Sequence, residues 1–141
     1  GNCGGTATSQ PILLPVRDIM REDVTFIPGR TSVLDAMRVM KRVEATVLMV
    51  EKRDEQDEYG MVSFADIAKQ VIAKDRAPER VNVYEIMAKP VIAVRPDMNT
   101  RYCARLFDNF GISHAPVIEN EEVLGIVSYY LIALHGLPEL D

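Results

Sequence analysis

The sequence contains no tryptophan and only two cysteines and two histidines in 141 residues. Two cysteines are too few for a disulfide framework, and they are not spaced as metal ligands. No apolar run approaches the roughly 20 residues of a membrane-spanning helix, and no N-terminal segment has the charged, apolar and small-residue order of a secretory signal. The sequence therefore predicts neither a disulfide-stapled protein nor a membrane protein, and a cytoplasmic location is the default expectation.

An excess of positive charge is also missing. The chain has 16 basic and 21 acidic side chains and a net charge of -5. The wide positive field of general nucleic-acid-binding proteins is therefore absent, and nucleic acid is not expected as a partner. The HExxH, GxSxG and Walker-type motifs of common enzyme families are missing too. These absences predict that the protein is not an enzyme and has no metal site.

What the sequence does contain is a duplication. Three pairs of segments match, at offsets of 67, 68 and 65 residues: Val16–Met20 with Val83–Met87, Val43–Val50 with Gly111–Ile118, and Gly60–Ser63 with Gly125–Ser128. The offset drops by three because the polar loop after Val50 is longer than its counterpart after Ile118. That longer loop, Glu51–Tyr59, mixes both charge signs and is predicted to be solvent-exposed.

Each copy shows the same order of predicted elements. A short helical turn (DIM or EIM) leads to an extended segment (VTFI or VIAV). A helix follows, capped by Thr31 or Ser32 in the first copy and by Asn99 or Thr100 in the second. Two β-branched runs joined by a polar loop predict a hairpin, and an amphipathic helix closes the copy. The predicted order is helix, strand, helix, strand, strand, helix.

The central helix of each copy carries apolar residues at helical spacing, which we predict as core: Val33, Met37, Met40 and Val43, then Cys103, Leu106, Phe107 and Phe110. A copy of about 60 residues buries little surface alone, so the two are expected to pack about a pseudo-twofold axis in an α/β (α+β) fold. The predicted division is a tail at 1–10, copies at 11–76 and 83–136, a linker at 77–82, and a tail at 137–141.

This pattern resembles tandem CBS domains, two repeats that form a Bateman module. The resemblance rests on DIM before an extended segment, on GISHAPVIE, and on the closing pair GMVSFADI and GIVSYYLI. It implies a stand-alone regulatory module that binds AMP, ADP, ATP or a related adenosyl compound in the clefts between repeats. It also implies a homodimer whose contacts, or those to a regulated partner, change with occupancy. No cofactor is required, although Mg²⁺ could accompany ATP. A ligand-free dimerisation or scaffold domain is the alternative.

The family pattern also implies which residues line the better cleft. Gly60, Ser63 and Asp66 match a glycine, a hydroxyl residue and an aspartate, of which the aspartate accepts hydrogen bonds from ribose. The residues implied on the other side of this cleft are Lys89, Pro90, Val91, Ile112, Ser113, His114 and Ala115. The spacing of Ser63 and Asp66 is also that of a capping box, in which the two residues only close a helix start, so both interpretations stay open.

The second cleft is expected to be weaker. It would combine Ala45, Thr46 and Val47 with Gly125 and Ser128. Leu131 stands where the first copy has Asp66, and a leucine side chain accepts no hydrogen bond from ribose. We therefore expect one good site and one degenerate site.

Overall fold

The computed structural model describes residues 14–136, which fall into two compact units. Residues 14–23 and 92–136 form the first unit, and Val24–Val91 form the second unit. The units do not coincide with the sequence copies, because the opening turn of each copy belongs to the unit built from the rest of the other copy. The copy boundaries stay a prediction. The two predicted tails, including Cys3, lie outside the described residues.

The second unit contains a three-stranded sheet and two helices. Its elements are β1 (Phe26–Ile27), α1 (Val33–Val43), β2 (Val47–Val50), β3 (Gly60–Ser63) and α2 (Phe64–Ile67). The closing helix continues beyond α2 as a π-helical turn, Ala68–Ile72, and the 3₁₀ turns Pro78–Arg80 and Val83–Glu85 follow. The sheet order is β1-β2-β3, with β1 parallel to β2 and β2 antiparallel to β3. Together with the 3₁₀ turn Val16–Asp18, which belongs to the first unit, these elements confirm the predicted element order of the first copy.

Helix α1 begins and packs for identifiable reasons. The Ser32 hydroxyl accepts a hydrogen bond from the Asp35 amide at 3.0 Å, so Ser32 is the N-cap. Val33, Ala36 and Met40 are buried in the core of this unit. The prediction that Met37 is core was wrong, because its side chain is 37% exposed. Ala36 takes the inward position, and Met37 lies at the edge of the buried stripe.

The first unit is built around one hairpin. After the 3₁₀ turn Val16–Asp18 come α3 (Thr100–Phe110), β4 (His114–Glu119), β5 (Glu122–Ser128) and α4 (Tyr129–His135). β4 and β5 are antiparallel. The Asn99 side chain accepts a hydrogen bond from the Arg101 amide at 2.8 Å and caps α3.

The strand expected at VIAV, residues 91–94, is reduced to one residue. Val94 forms a parallel bridge to Val117. Its amide donates to the Pro116 carbonyl, and its carbonyl accepts from the Ile118 amide, both at 3.0 Å. Prolines 90 and 96 flank the segment and have no amide hydrogen to donate to a longer ladder.

The core of the first unit centres on Phe107, Val117 and Val127, which are fully buried. Cys103 is buried with them, as predicted, and burial raises the pKa of its thiol to about 11. The prediction that Phe110 is core was wrong, because this residue is 61% exposed. Phe110 is the last residue of α3, and the chain turns away at Gly111, where φ is 65°.

Each hairpin gains an extra edge residue from an opening turn. In the first unit, Arg21 and Ile126 exchange two backbone hydrogen bonds of 2.9 Å. In the second unit, Met61 and Ala88 exchange equivalent bonds of 3.0 and 2.8 Å. Arg21 and Ala88 both directly follow the methionine of a DIM or EIM turn. The duplication therefore extends to this tertiary contact.

The glycines of GMVS and GIVS make room for those methionines. A Cβ atom added to Gly60 would lie 2.5 Å from the Met87 sulfur. A Cβ atom added to Gly125 would lie 2.8 Å from the Met20 sulfur and 2.5 Å from the Arg21 carbonyl oxygen. Both contacts are closer than ordinary packing allows, so any larger residue at position 60 or 125 would require its neighbours to move.

Candidate ligand-binding site

The junction of β3 and α2 presents Ser63 and Asp66 as a complete capping box. The Ser63 hydroxyl accepts from the Asp66 amide at 3.1 Å, and Asp66 Oδ2 accepts from the Ser63 amide at 2.9 Å. Both residues are half-buried. Among residues 14–136, nothing donates a hydrogen bond to the other carboxylate oxygen, Oδ1. Asp66 therefore caps the helix with one oxygen and keeps an acceptor for something else.

The start of β2 lies beside this junction. Val47 pairs with Ser63 in the sheet register, and the Phe64 amide donates to the Thr46 carbonyl at 2.9 Å. Thr46 is exposed, Ala45 is half-buried and Val47 is buried. The second unit thus brings Ser63 and Asp66 together with residues that the sequence assigned to the weaker cleft.

Gly60 lies at the opposite end of β3 from Ser63, where it pairs with Val50. Two strand residues separate Gly60 from Ser63, a span of roughly 10 Å at the usual rise per residue. Gly60 packs against Met87 instead. Its role as a ligand contact stays a prediction.

Lys89 is held by a carboxylate of its own unit. Its ammonium nitrogen lies 2.6 Å from Asp57 Oδ1. Asp57 also accepts hydrogen bonds from the Arg53 amide at 2.8 Å and from Arg53 Nε at 3.2 Å. Pro90 beyond it is exposed, and Val91 is half-buried. Any contact between Lys89 and a phosphate would have to compete with this ion pair.

The prediction that the whole loop Glu51–Tyr59 is solvent-exposed was wrong at Asp57. The Asp57 side chain is only 8% exposed, because two cations and a backbone amide surround it. The Tyr59 ring packs against Phe26 with centroids 5.8 Å apart. The mixed charges of the loop indicate that ion pairs can form there. The sequence does not show that Lys89, 32 positions after Asp57, is one of the partners.

The Asp57 cluster predicts acid sensitivity. The hydrogen bond from Lys89, followed by the amide and side chain of Arg53, holds the pKa of the Asp57 carboxyl well below its ordinary 3.8. A lowered folded-state pKa stabilises the fold above the unfolded-state value and loses that contribution as pH falls further. We expect Asp57→Asn to lower the urea midpoint at pH 7, and the gap to wild type to shrink steadily below about pH 4. A gap independent of pH between 7 and 2 would contradict this assignment.

The first unit has the equivalent junction without the acid. His114 pairs with Ser128 across the hairpin, and the Tyr129 amide donates to the Ser113 carbonyl at 3.1 Å. The Ser128 hydroxyl accepts from the Leu131 amide at 3.2 Å. Leu131 has no oxygen with which to return the bond, so only half of a capping box forms.

The side chains at this junction form a small polar group. Ser113 Oγ lies 2.9 Å from His114 Nδ1. Ser113 is exposed, Ile112 and His114 are half-buried, and Ala115 is buried. A buried Ala115 side chain leaves mainly its backbone to face a ligand. Ser113 and His114 are the two polar side chains of the predicted set that this unit places side by side.

Each unit therefore contains a junction between the start of a strand and the start of a helix, and the two junctions differ in whether a carboxylate completes the capping box. The second unit has Asp66 where the first unit has Leu131. Within residues 14–136, no group of three or more His, Cys, Asp or Glu side chains is arranged to hold a metal ion. In the same part of the chain, no helix has both the length and the apolar character that crossing a bilayer requires.

Comparisons with known proteins agree on one family. The family model of the CBS domain matches residues 16–73 and again residues 83–133. A homoserine O-acetyltransferase of Methanosalsum zhilinae is 38% identical over 115 residues, which is 81% of this chain and 22% of that protein. The chain thus spans about a fifth of the length of this curated relative.

Solved structures show the same fold. A hexameric CBS-CP12 protein from bloom-forming cyanobacteria superposes with a TM-score of 0.86 at 41% identity, covering 89% of this chain and 70% of that one. The CBS domain pair of protein MJ0100, in complex with 5'-methylthioadenosine and S-adenosyl-L-methionine, superposes with a TM-score of 0.72 at 25% identity. That match covers 84% of this chain and 96% of the other.

Proposed function

The chain belongs to the CBS domain family, and from this premise we propose that it is a regulatory module that binds an adenosine-containing small molecule. The observation that carries the proposal is Asp66. Its Oδ2 is fixed by the Ser63 amide at 2.9 Å, so its Oδ1 is held in place with no donor from residues 14–136. A carboxylate oxygen that is held in place is a suitable acceptor for a ribose hydroxyl, as in dinucleotide sites.

The ligand class is supported by a relative. The CBS pair of MJ0100 was crystallised with two adenosyl compounds, which share adenine and a ribose but differ in their 5' substituents. AMP, ADP and ATP share the same two groups. We propose that the adenosine part is the common requirement, and that Asp66 recognises its ribose.

The proposal is tested by a melting-temperature screen with AMP, ADP, ATP, 5'-methylthioadenosine and S-adenosyl-L-methionine, each with and without Mg²⁺. A ligand at one hundred times its dissociation constant adds about 2.7 kcal/mol to the free energy of unfolding, which gives a clear rise in the melting temperature. GMP serves as the control, since it keeps ribose and phosphate and changes the base. If none of the five compounds raises the melting temperature above the GMP control, the adenosine proposal is wrong.

A ligand-free dimerisation or scaffold domain is the second candidate, and the capping box favours it. The Ser63 and Asp66 side chains each accept the backbone amide of the other residue, so a structural role accounts for both residues. Under this alternative, the five adenosyl compounds leave the melting temperature unchanged. Loss of the box still lowers the stability of the ligand-free protein by about 1 kcal/mol.

We also propose that the protein self-associates, with a homodimer as the smallest assembly. The first unit exposes the large side chains of Tyr102, Phe110 and Tyr130 by 60 to 70%. Exposed aromatic side chains of this size are typical of surfaces that bind another protein, and the cyanobacterial relative is described as a hexamer. Native mass spectrometry would give the subunit count and the mass of any co-purified ligand in one spectrum.

A further inference from the structure

A cavity of about 830 Å³ lies within the second unit, at the end of its sheet that is opposite to Asp66. We call it the basic pocket, since four of its lining residues are cationic: Arg30, Lys52, Arg53 and Lys89. It opens where β1 and β2 end. Ser63 pairs with Val47 at one end of β2, and the pocket residue Val50 pairs with Gly60 at the other.

The balance of charge in the basic pocket is positive. Glu51 is the acidic residue among its lining residues, and Asp57 neutralises part of Arg53 and Lys89 through contacts of 3.2 and 2.6 Å. Four cations therefore face two carboxylates, in a chain whose net charge is -5. A concave positive region on an acidic protein concentrates anions at that place.

Arg30 is the least engaged of these cations. It is exposed, and its side chain forms no ion pair or hydrogen bond with any residue in the described range 14–136. Its guanidinium has a fork of donors that matches a phosphate group. Among the four cations, Arg30 is therefore expected to contribute most to the binding free energy of an anion in the pocket.

Asp57 positions two other cations. Its side chain is 8% exposed, and it fixes the Arg53 side chain and backbone together with Lys89. Charges that are already held in place cost less to order when a ligand arrives. Asp57 therefore holds two of the four cations of the pocket in fixed positions before a ligand binds.

The remaining wall is apolar and aromatic. It is lined by Tyr84, Met87, Val50 and Pro28, and Tyr84 as a whole residue is 55% exposed. The Tyr84 amide donates a hydrogen bond of 3.0 Å to the Gly29 carbonyl, which fixes the Tyr84 backbone. The volume lies in the range of sites for small organic molecules and is far larger than a single phosphate ion needs.

We propose that the basic pocket is a second ligand site, which binds an organic small molecule that carries a phosphate group. The phosphate pairs with Arg30 in the positive field of Lys52, Arg53 and Lys89, and the organic part packs on Tyr84 and Met87. The site uses neither Ser63 nor Asp66, so it can be tested separately from the adenosine proposal. Lys89 is the one residue that it shares with the predicted adenosine cleft.

Phenyl phosphate is a suitable probe, since it combines a dianion with one ring. Titration of the isotope-labelled full chain, followed by amide NMR at fixed ionic strength, should shift the signals of Gly29, Lys52 and Met87 and saturate. Arg30→Gln should weaken binding about tenfold, because one charge-assisted bond is lost. Arg30→Glu should weaken it further, and Tyr84→Ala should weaken phenyl phosphate more than inorganic phosphate. Lys41→Gln removes one exposed charge from the same unit, outside the pocket lining, and should leave binding unchanged.

Two more measurements distinguish the basic pocket from the Asp66 site and from a general attraction of anions. Asp66→Ala should bind phenyl phosphate as wild type does, and Arg30→Gln should keep its response to adenosine compounds. Phenol and citrate should bind at least tenfold more weakly than phenyl phosphate. The proposal is overturned if Arg30→Gln and Lys41→Gln lose affinity equally, if citrate binds as well as phenyl phosphate, or if no signal from the pocket shifts.

Discussion

Asp66→Ala is expected to lose most of the thermal stabilisation that the preferred adenosine compound gives the wild-type chain. The substitution removes the oxygen that we assign to the ribose hydroxyls. A hydrogen bond to a charged group contributes about 1.5 to 3 kcal/mol, so affinity should fall roughly ten- to one-hundred-fold. Isothermal titration calorimetry gives the change in dissociation constant directly, and circular dichroism checks that the variant is folded.

The matched control is Asp66→Asn, since Asp66 also closes the capping box with Ser63. An asparagine side chain retains one acceptor oxygen, which can take the Ser63 amide, but it lacks the charge and the second acceptor. We expect Asp66→Asn to recover most of the ligand-free stability lost in Asp66→Ala and little of the affinity. Equal affinities for wild type and both variants would show that Asp66 serves only as a cap.

The local parts of the fold could be predicted from the sequence. Helical spacing, N-cap residues and hairpin patterns are short-range signals, and they placed α1, α3 and the two hairpins correctly. The same signals failed at the margins. Met37 and Phe110 fit the apolar stripes but are exposed, because spacing alone does not say where a buried stripe ends.

The partners of the opening turns could not be predicted in this way. Nothing in the local pattern of DIM shows that Arg21 bonds to Ile126, more than one hundred positions away. The duplication reveals two equivalent opening turns. It does not show whether each turn packs against the hairpin of its own copy or against the hairpin of the other copy, because both arrangements fit the sequence pattern. The same limit applies to Lys89 and Asp57, whose ion pair makes a nominally solvated loop part of a charged pocket.

The site was only partly readable from the sequence. The spacing of Ser63 and Asp66 predicts a capping box, and only the family resemblance implies a ligand role for them. The structure adds that one oxygen of the Asp66 carboxylate accepts the Ser63 amide and that the other has no donor among residues 14–136. The leucine at position 131 predicts an incomplete junction in the second copy, and the structure shows only half of a capping box there. The family pattern implies that Gly60 and Gly125 line the clefts, and this stays a prediction. The structure supplies a packing reason for both glycines that no motif contains.

Gly125→Ala is therefore expected to destabilise the protein strongly, and more than Gly60→Ala. The new Cβ atom would lie 2.5 Å from the Arg21 carbonyl oxygen, and that carbonyl accepts the Ile126 amide at 2.9 Å. The Arg21 carbonyl can move away from the new Cβ atom only if this hydrogen bond is weakened or broken. We expect a loss of about 2 to 3 kcal/mol in the free energy of unfolding, measured by urea denaturation.

Gly60→Ala is the matched variant, because its closest contact is the Met87 sulfur rather than backbone. A methionine side chain has three rotatable bonds and can move aside, so the expected loss is about 1 kcal/mol or less. The order of the two variants tests whether the opening turn is held by its backbone or by its methionine. If Gly60→Ala proves as destabilising as Gly125→Ala, the methionine packing dominates in both units, and the Arg21 carbonyl is not what makes Gly125 necessary.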